Sequence, residues 1–110
     1  MQLSKHVQGG VTIIGLDGEL DSGTAARTKA GLDELLPDHG SVVLDLSRAS
    51  YMSSAGLRVL LLVHRRVQAT GVALSLAGLT PEVREAMVAT GFLDFFTVLD
   101  TVPGDEVVPR

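Results

Sequence analysis

The sequence predicts an α/β fold, a single mixed β-sheet flanked by helices, and three observations carry that prediction. Leu3 to Val7 and Val11 to Leu16 read as two strands, separated only by Gln8-Gly9-Gly10, whose glycines supply the positive φ of a tight hairpin. Val42-Val43-Leu44-Asp45-Leu46 is a nearly continuous apolar run, the pattern of a strand covered on both faces. From there on, segments of helical period alternate with short apolar runs, which adds helices and further strands to the same sheet.

Each element has its own local reason. Gly18 to Gly23 reads as a turn, followed by a helix over Thr24 to Leu36 with Ala25, Leu32, Leu35 and Leu36 on one face. Pro37-Asp38-His39-Gly40 ends it, since proline breaks the hydrogen-bond ladder and glycine suits a cap. After the Val42 to Leu46 strand a polar turn is expected. A helix over Ser54 to about Ala69 follows, with Leu57, Leu60, Leu61, His64 and Val67 at helical spacing. Thr70-Gly71 closes it, and Val72 to Leu76 is the next strand. Thr80-Pro81-Glu82 combines an N-cap, a first-turn proline and an acidic residue, so a helix carrying Val83, Met87 and Val88 begins there and stops near Thr90-Gly91. Phe95 to Leu99 is the expected last strand. Residues 1–102 thus form one expected domain, and 103–110 a frayed tail.

Composition narrows the function classes. The net charge of −4 argues against direct nucleic-acid binding, which needs clustered Lys and Arg. Arg58, Arg65 and Arg66 are close in sequence but read as a solvated helix face. Cysteine is absent, so disulfide and thiol chemistry are excluded. The start of the chain lacks the apolar run of a signal peptide, and the Val59 to Val63 run is too short to span a bilayer. A cytoplasmic protein without membrane contact is expected, and the complete first strand points to a whole protein. Monomer and weak dimer both remain open.

The stretch from Asp45 to Leu57 is where chemistry concentrates. Ser53 and Ser54 stand at a helix start, where an anion such as phosphate is favoured. One serine is enough to cap the helix, and the other is then available as a phosphoryl acceptor; both roles can coexist. Ala55-Gly56 leaves the backbone there approachable. A hydrolase is disfavoured: Ser53-Ser54-Ala55-Gly56 lacks the first glycine of a nucleophile elbow, and His64 lies ~15 Å along the same helix. His64 reads instead as a half-buried packing residue. Asp21 in its turn and Asp45 near a strand end are the remaining carboxylates of interest, gathered toward one site if both lie at strand carboxyl ends, or serving only as turn and strand-end hydrogen-bond groups. No metal site is expected, because His6, His39 and His64 are scattered. No catalytic residue and no cofactor are assigned.

Gly18-Glu19-Leu20-Asp21, Val43-Leu44-Asp45-Leu46-Ser47 and Tyr51-Met52-Ser53-Ser54-Ala55-Gly56-Leu57, in that order and spacing, resemble the bacterial anti-sigma factor antagonists of the STAS domain family. The resemblance spans nearly the whole chain and implies the same STAS-like mixed sheet. It also implies partner switching without enzymatic activity. The unphosphorylated domain would bind an anti-sigma factor that is also a serine kinase, and phosphorylation of one serine would release it. A serine phosphatase would complete the cycle. Ser54 takes the modified position, with Ser53 a second acceptor. Ser53 replaces the family's Asp, and Ala55 the following Ser or Thr. The implied partner surface comprises Asp21, Ser22 and Thr24 with Met52, Ser53, Ser54, Gly56, Leu57 and Arg58. The alternative is a STAS interaction module of another regulatory or transport assembly that binds without being phosphorylated.

Overall fold

A computed structural model describes residues 1–103. The tail expected to fray lies, beyond Pro103, outside the described residues. The elements are β1 (Gln2–Gln8), β2 (Val11–Leu20), α1 (Ala25–Leu35), β3 (Ser41–Met52), α2 (Ser54–Thr70), β4 (Ala73–Ala77), α3 (Pro81–Thr90), a 3-10 turn (Phe92–Phe95) and β5 (Thr97–Leu99). They build a five-stranded sheet in the order β1-β2-β3-β4-β5. The hairpin pair β1/β2 is antiparallel, and the remaining pairs are parallel.

The hairpin forms as the glycines require. Gly9 and Gly10 have φ of 59° and 80°, and Gln8 pairs with Val11 across them. Each later step moves one strand further along the sheet through a helix, and right-handed crossovers of that kind place the helices on one face. That face holds the main core: Ile14, Leu16, Val42, Leu44, Leu46 and Leu76 from the strands, against Leu32, Leu60, Val63, Val83 and Met87 from the helices. Ile13, Val43 and Ala77 point the other way and are covered by Val102. The central strand is therefore covered by helices at Val42, Leu44 and Leu46 on one side and by Val102 at Val43 on the other.

Two strands run on past their expected ends. β2 runs on through Gly18 to Leu20, where a turn was expected, and β3 runs on to Met52 through the expected polar turn. Long-range pairing explains both: Gly18 pairs with Ala49, Glu19 with Tyr51 and Leu20 with Met52, and the extension buries Leu20, Ala49 and Met52. Local polarity at Ser47, Arg48 and Ser50 reports only the exposed side of a strand, and register irregularities after Gly15 and Gly18 absorb the mismatch. The Phe92 to Phe95 turn also takes the start of the expected last strand, which begins at Thr97.

Helix ends follow local rules. α3 opens with Thr80, whose side chain accepts a hydrogen bond from the Val83 amide, with Pro81 in the first turn. Gly71 and Gly91 close α2 and α3 in the left-handed conformation, with φ of 79° and 77°. Along α2 the buried stripe is Gly56, Leu57, Val59, Leu60, Val63 and Val67. Leu61, expected in that stripe, is only half-buried, as is its neighbour Leu62. His64 packs edge-on against Phe95 and Phe96, at ring-centroid distances of 6.3 and 5.3 Å, the half-buried role expected of it.

Helices α1 and α2 are tied at the surface by Asp33, which contacts Lys29 one turn earlier and Arg66 Nη1 of α2 at 2.9 Å. Burial works to raise the Asp33 pKa; the hydrogen bond from Lys29 and the charges of Lys29 and Arg66 outweigh it and hold the carboxyl below its ordinary 3.8. A carboxylate depressed in the folded state contributes its stability above the unfolded value and loses it as pH falls through the folded one. Asp33→Asn should therefore cost about 0.5–1 kcal/mol at pH 7, the scale of a part-exposed pair. The gap to the parent protein should close as pH drops from 5 toward 2. Urea unfolding of both proteins across that range checks it; a pH-independent gap would remove the ion pair from the account.

Candidate functional site

The pairing of Leu20 with Met52 sets the carboxyl ends of two parallel strands level. The chain leaving each of them starts a helix, so the Asp21 to Thr24 turn and the Ser53-Ser54 helix start lie side by side. A backbone hydrogen bond from the Ser53 amide to the Leu20 carbonyl, at 3.0 Å, joins them. Loops beyond strand carboxyl ends are where open α/β sheets gather their sites.

The first turn is internally closed. Asp21 Oδ1 accepts from the amides of Gly23 and Thr24 at 2.9 and 3.1 Å, and the Asp21 carbonyl accepts from the Ala25 amide at 2.9 Å. The Thr24 hydroxyl donates to the Glu19 carbonyl at 2.9 Å and accepts from the Asp21 amide at 3.1 Å. Asp21 and Thr24 thus do what Asp and Thr do before helices: they satisfy backbone groups and fix the loop. Ser22, between them, is exposed.

The second loop is tighter. Ser53 occupies the N-cap position of α2 in extended conformation, yet its side chain makes no capping hydrogen bond. Its Oγ is buried without a partner among the described residues. Ser54, the first helical residue, is exposed. The two serines therefore divide sharply in accessibility, which their sequence alone does not decide. Two residues further on, a Cβ on Gly56 would lie 2.6 Å from the Leu20 carbonyl oxygen and 2.8 Å from carbons of Leu20 and Met52. Gly56 lets the first turn of α2 rest on the end of β2. Its smallness serves packing within the domain, not the approach of a partner suggested by the sequence.

The expected contact surface needs correction at Ser53, whose oxygen is buried, and at three further positions. Met52 and Leu57 are only 6% and 3% exposed, and Gly56 is buried as well. Strand extension turns Met52 into the core, and the helix face that meets the sheet carries Gly56 and Leu57. They shape the surface from below. Asp21, Ser22, Thr24, Ser54 and Arg58 keep exposed or part-exposed side chains. Asp45 does not join them. β3 continues seven residues beyond it, Asp45 pairs with Gly15 well back along β2, and its Oδ1 accepts from the Ser47 amide at 2.9 Å. The strand-end carboxylate expected from sequence is a mid-strand one.

Sequence reasoning missed a groove that starts at Ser54. Ser54, Leu57, Arg58, Leu61, Leu62 and Arg65 of α2, with Thr90 and Phe92 opposite, line 460 Å³ of open space. The signal was present: from Ser54, the positions of Arg58, Leu61, Leu62 and Arg65 fall at i+4, i+7, i+8 and i+11, one helical stripe. It was hidden because the other wall comes from the far end of the chain. Among the described residues no group of three His, Cys, Asp or Glu lies together as metal ligands would. None of the helices described is long and apolar enough to cross a membrane.

Comparison with known proteins agrees with this architecture. The STAS domain family model matches residues 2–104. BtrV of Bordetella bronchiseptica, assigned as an anti-sigma factor antagonist, is 40% identical over 103 residues, covering 92% of this chain and 88% of its own. A solved structure of the same assignment from Thermotoga maritima superposes with a TM-score of 0.82 at 17% identity, covering 91% of this chain and 87% of that one. The anti-sigma factor antagonist SpoIIAA in its unphosphorylated form gives a TM-score of 0.69 at 22% identity, covering 90% and 87%. At those identities the two structures speak for the fold; the family model and the Bordetella relative speak for descent. The chain belongs to the STAS domain family, among its anti-sigma factor antagonists.

Proposed function

We propose that this protein acts by partner switching: unphosphorylated, it binds an anti-sigma factor with serine kinase activity, and phosphorylation of Ser54 releases it. The observation that carries the reading is the exposed Ser54 hydroxyl in the first turn of α2, beside the Asp21 to Thr24 turn, while the neighbouring Ser53 oxygen is buried. A kinase reaches the first and not the second. Ser22, Thr24, Ser54 and Arg58 form the contact surface, with Asp21 holding its loop in shape and Met52, Gly56 and Leu57 supporting it from within. A serine phosphatase resets the cycle. The chain itself supplies no catalytic group and acts in the cytoplasm.

The direction of the switch follows from charge. A phosphoryl group adds about −1.5 to −2 charges. In the free domain the amino end of α2 favours that charge by only ~0.3–1 kcal/mol. Within an interface the same dianion must shed water, at several kcal/mol if unpaired. Each 1.4 kcal/mol is tenfold in affinity, so the interface cost dominates. The fold is untouched because Ser54 projects outward.

The test is phosphosite mapping on protein recovered from its native cells, with and without stress, together with identification of what co-purifies. A phosphoryl group on Ser54, absent from the fraction bound to an anti-sigma factor, is the expected result. Fully unmodified Ser54 in both free and bound protein would replace the switch with constitutive binding, as in a STAS module of another assembly.

A further inference from the structure

The groove beside Ser54 has a chemical character of its own. Its floor is apolar, made by Leu61, Leu62 and Phe92 with only an edge of the otherwise buried Leu57, and its α2 rim carries two cations, Arg58 and Arg65, seven residues apart. Both are exposed, and neither forms an ion pair among the described residues. Arg66, next in sequence, is different: it is spent on Asp33. On a chain whose net charge is −4, an apolar trough whose charged lining residues are both arginines is a local reversal of sign. Residues seven apart on a helix stand ~10.5 Å apart on the same face.

We infer that this groove is a docking site for an amphipathic helix of the anti-sigma factor, one with apolar residues facing α2 and carboxylates about seven residues apart meeting Arg58 and Arg65. The inference rests on the partner-switching reading and adds the chemistry of the partner's contact. A helix laid along α2 buries Leu61 and Leu62, which the fold leaves half-exposed. The arginines choose an acidic helix over a basic one and set its register. Ser54 belongs to the same stripe, one turn before Arg58, at the spacing where helical side chains pair. Phosphorylated, it brings up to two negative charges to a rim that carried two positive ones, and it competes for Arg58 from within the chain. The modification thus cancels the feature that selects the partner, in addition to placing a charge in the interface.

Site-specific photocrosslinking in native cells tests this, using a benzoylphenylalanine in place of Leu62 and, separately, in place of Ser22. Both positions should trap the same anti-sigma factor, and mass spectrometry should place the Leu62 crosslink in a helical segment with carboxylates flanking apolar residues. With that anti-sigma factor purified, Arg58→Glu with Arg65→Glu should weaken binding at least 30-fold, with an unchanged melting temperature and a loss that shrinks as salt is raised. A crosslink from position 22 but none from 62, or binding by the double variant within threefold of the parent, overturns the groove and leaves the partner reading standing. A crosslink from 62 to a second copy of this chain overturns it in favour of a dimer face. No crosslink from either position removes the partner reading, and the inference with it.

Discussion

Gly56→Val will destabilise the domain by about 3 kcal/mol, at the upper end of overpacking costs, because the obstruction is backbone. A Cβ at position 56 would stand 2.6 Å from the Leu20 carbonyl oxygen, closer than real contacts allow. No side-chain rotation moves that oxygen. The Leu20 carbonyl also accepts the Ser53 amide at 3.0 Å, so withdrawing it breaks the bond that joins the two loops. Gly56→Ala separates the effects. Alanine gains about 1 kcal/mol of helix propensity over glycine, which offsets part of the same collision. It should therefore be destabilised less than the valine variant, with its α2 start displaced outward by the same Cβ. Urea unfolding checks the first statement: the valine variant's midpoint should fall with its denaturant slope unchanged. Partner affinity checks the second, and should fall in the alanine variant beyond anything its stability explains. A valine variant as stable as the parent would mean that α2 does not rest on the end of β2.

Ser54→Asp will cut affinity for the anti-sigma factor at least a hundredfold, the equivalent of ~3 kcal/mol, while raising the domain's own stability slightly. The opposite signs are the point. A carboxylate in the first turn of α2 meets the positive end of the helix and gains ~0.3–1 kcal/mol in the free protein. In the complex it is a charge that must be desolvated. Any change acting through misfolding would lower both quantities together. Ser54→Ala should bind like the parent but remain bound in the presence of kinase and ATP. Ser53→Ala probes the neighbouring oxygen, which is buried without a partner; removing it should leave binding and phosphorylation intact. Calorimetric or interferometric binding alongside thermal unfolding measures all four proteins. Parent-like affinity for Ser54→Asp would end the charge argument, whatever the fold comparison says.

Much of this molecule was legible because its signals are local. Gly9-Gly10 needs no context to make a hairpin, and Thr80-Pro81 none to start a helix; the structure has both. The α2 start at Ser54 and the packing role of His64 follow from spacing within one element. The order of helices and strands carried the mixed sheet, and three short segments in their right order carried the family.

What the chain could not announce depends on which residues meet across it. Leu20 and Met52 lie far apart in sequence, and only their pairing extends two strands past their apolar runs. That extension buries Met52, strands Asp45 in mid-strand, and sets Asp21's turn against Ser53. Helical period says that α2 has an apolar face, but contact with the sheet decides that Val59 and Val63 are inside while Leu61 and Leu62 are not wholly so. Two adjacent serines look alike in sequence, yet in the folded chain the Ser53 oxygen is buried and Ser54 is exposed. Turn chemistry and periodicity are properties of neighbours along the chain; exposure and strand register are set by partners tens of residues away, and the proposed contact surface is made of those.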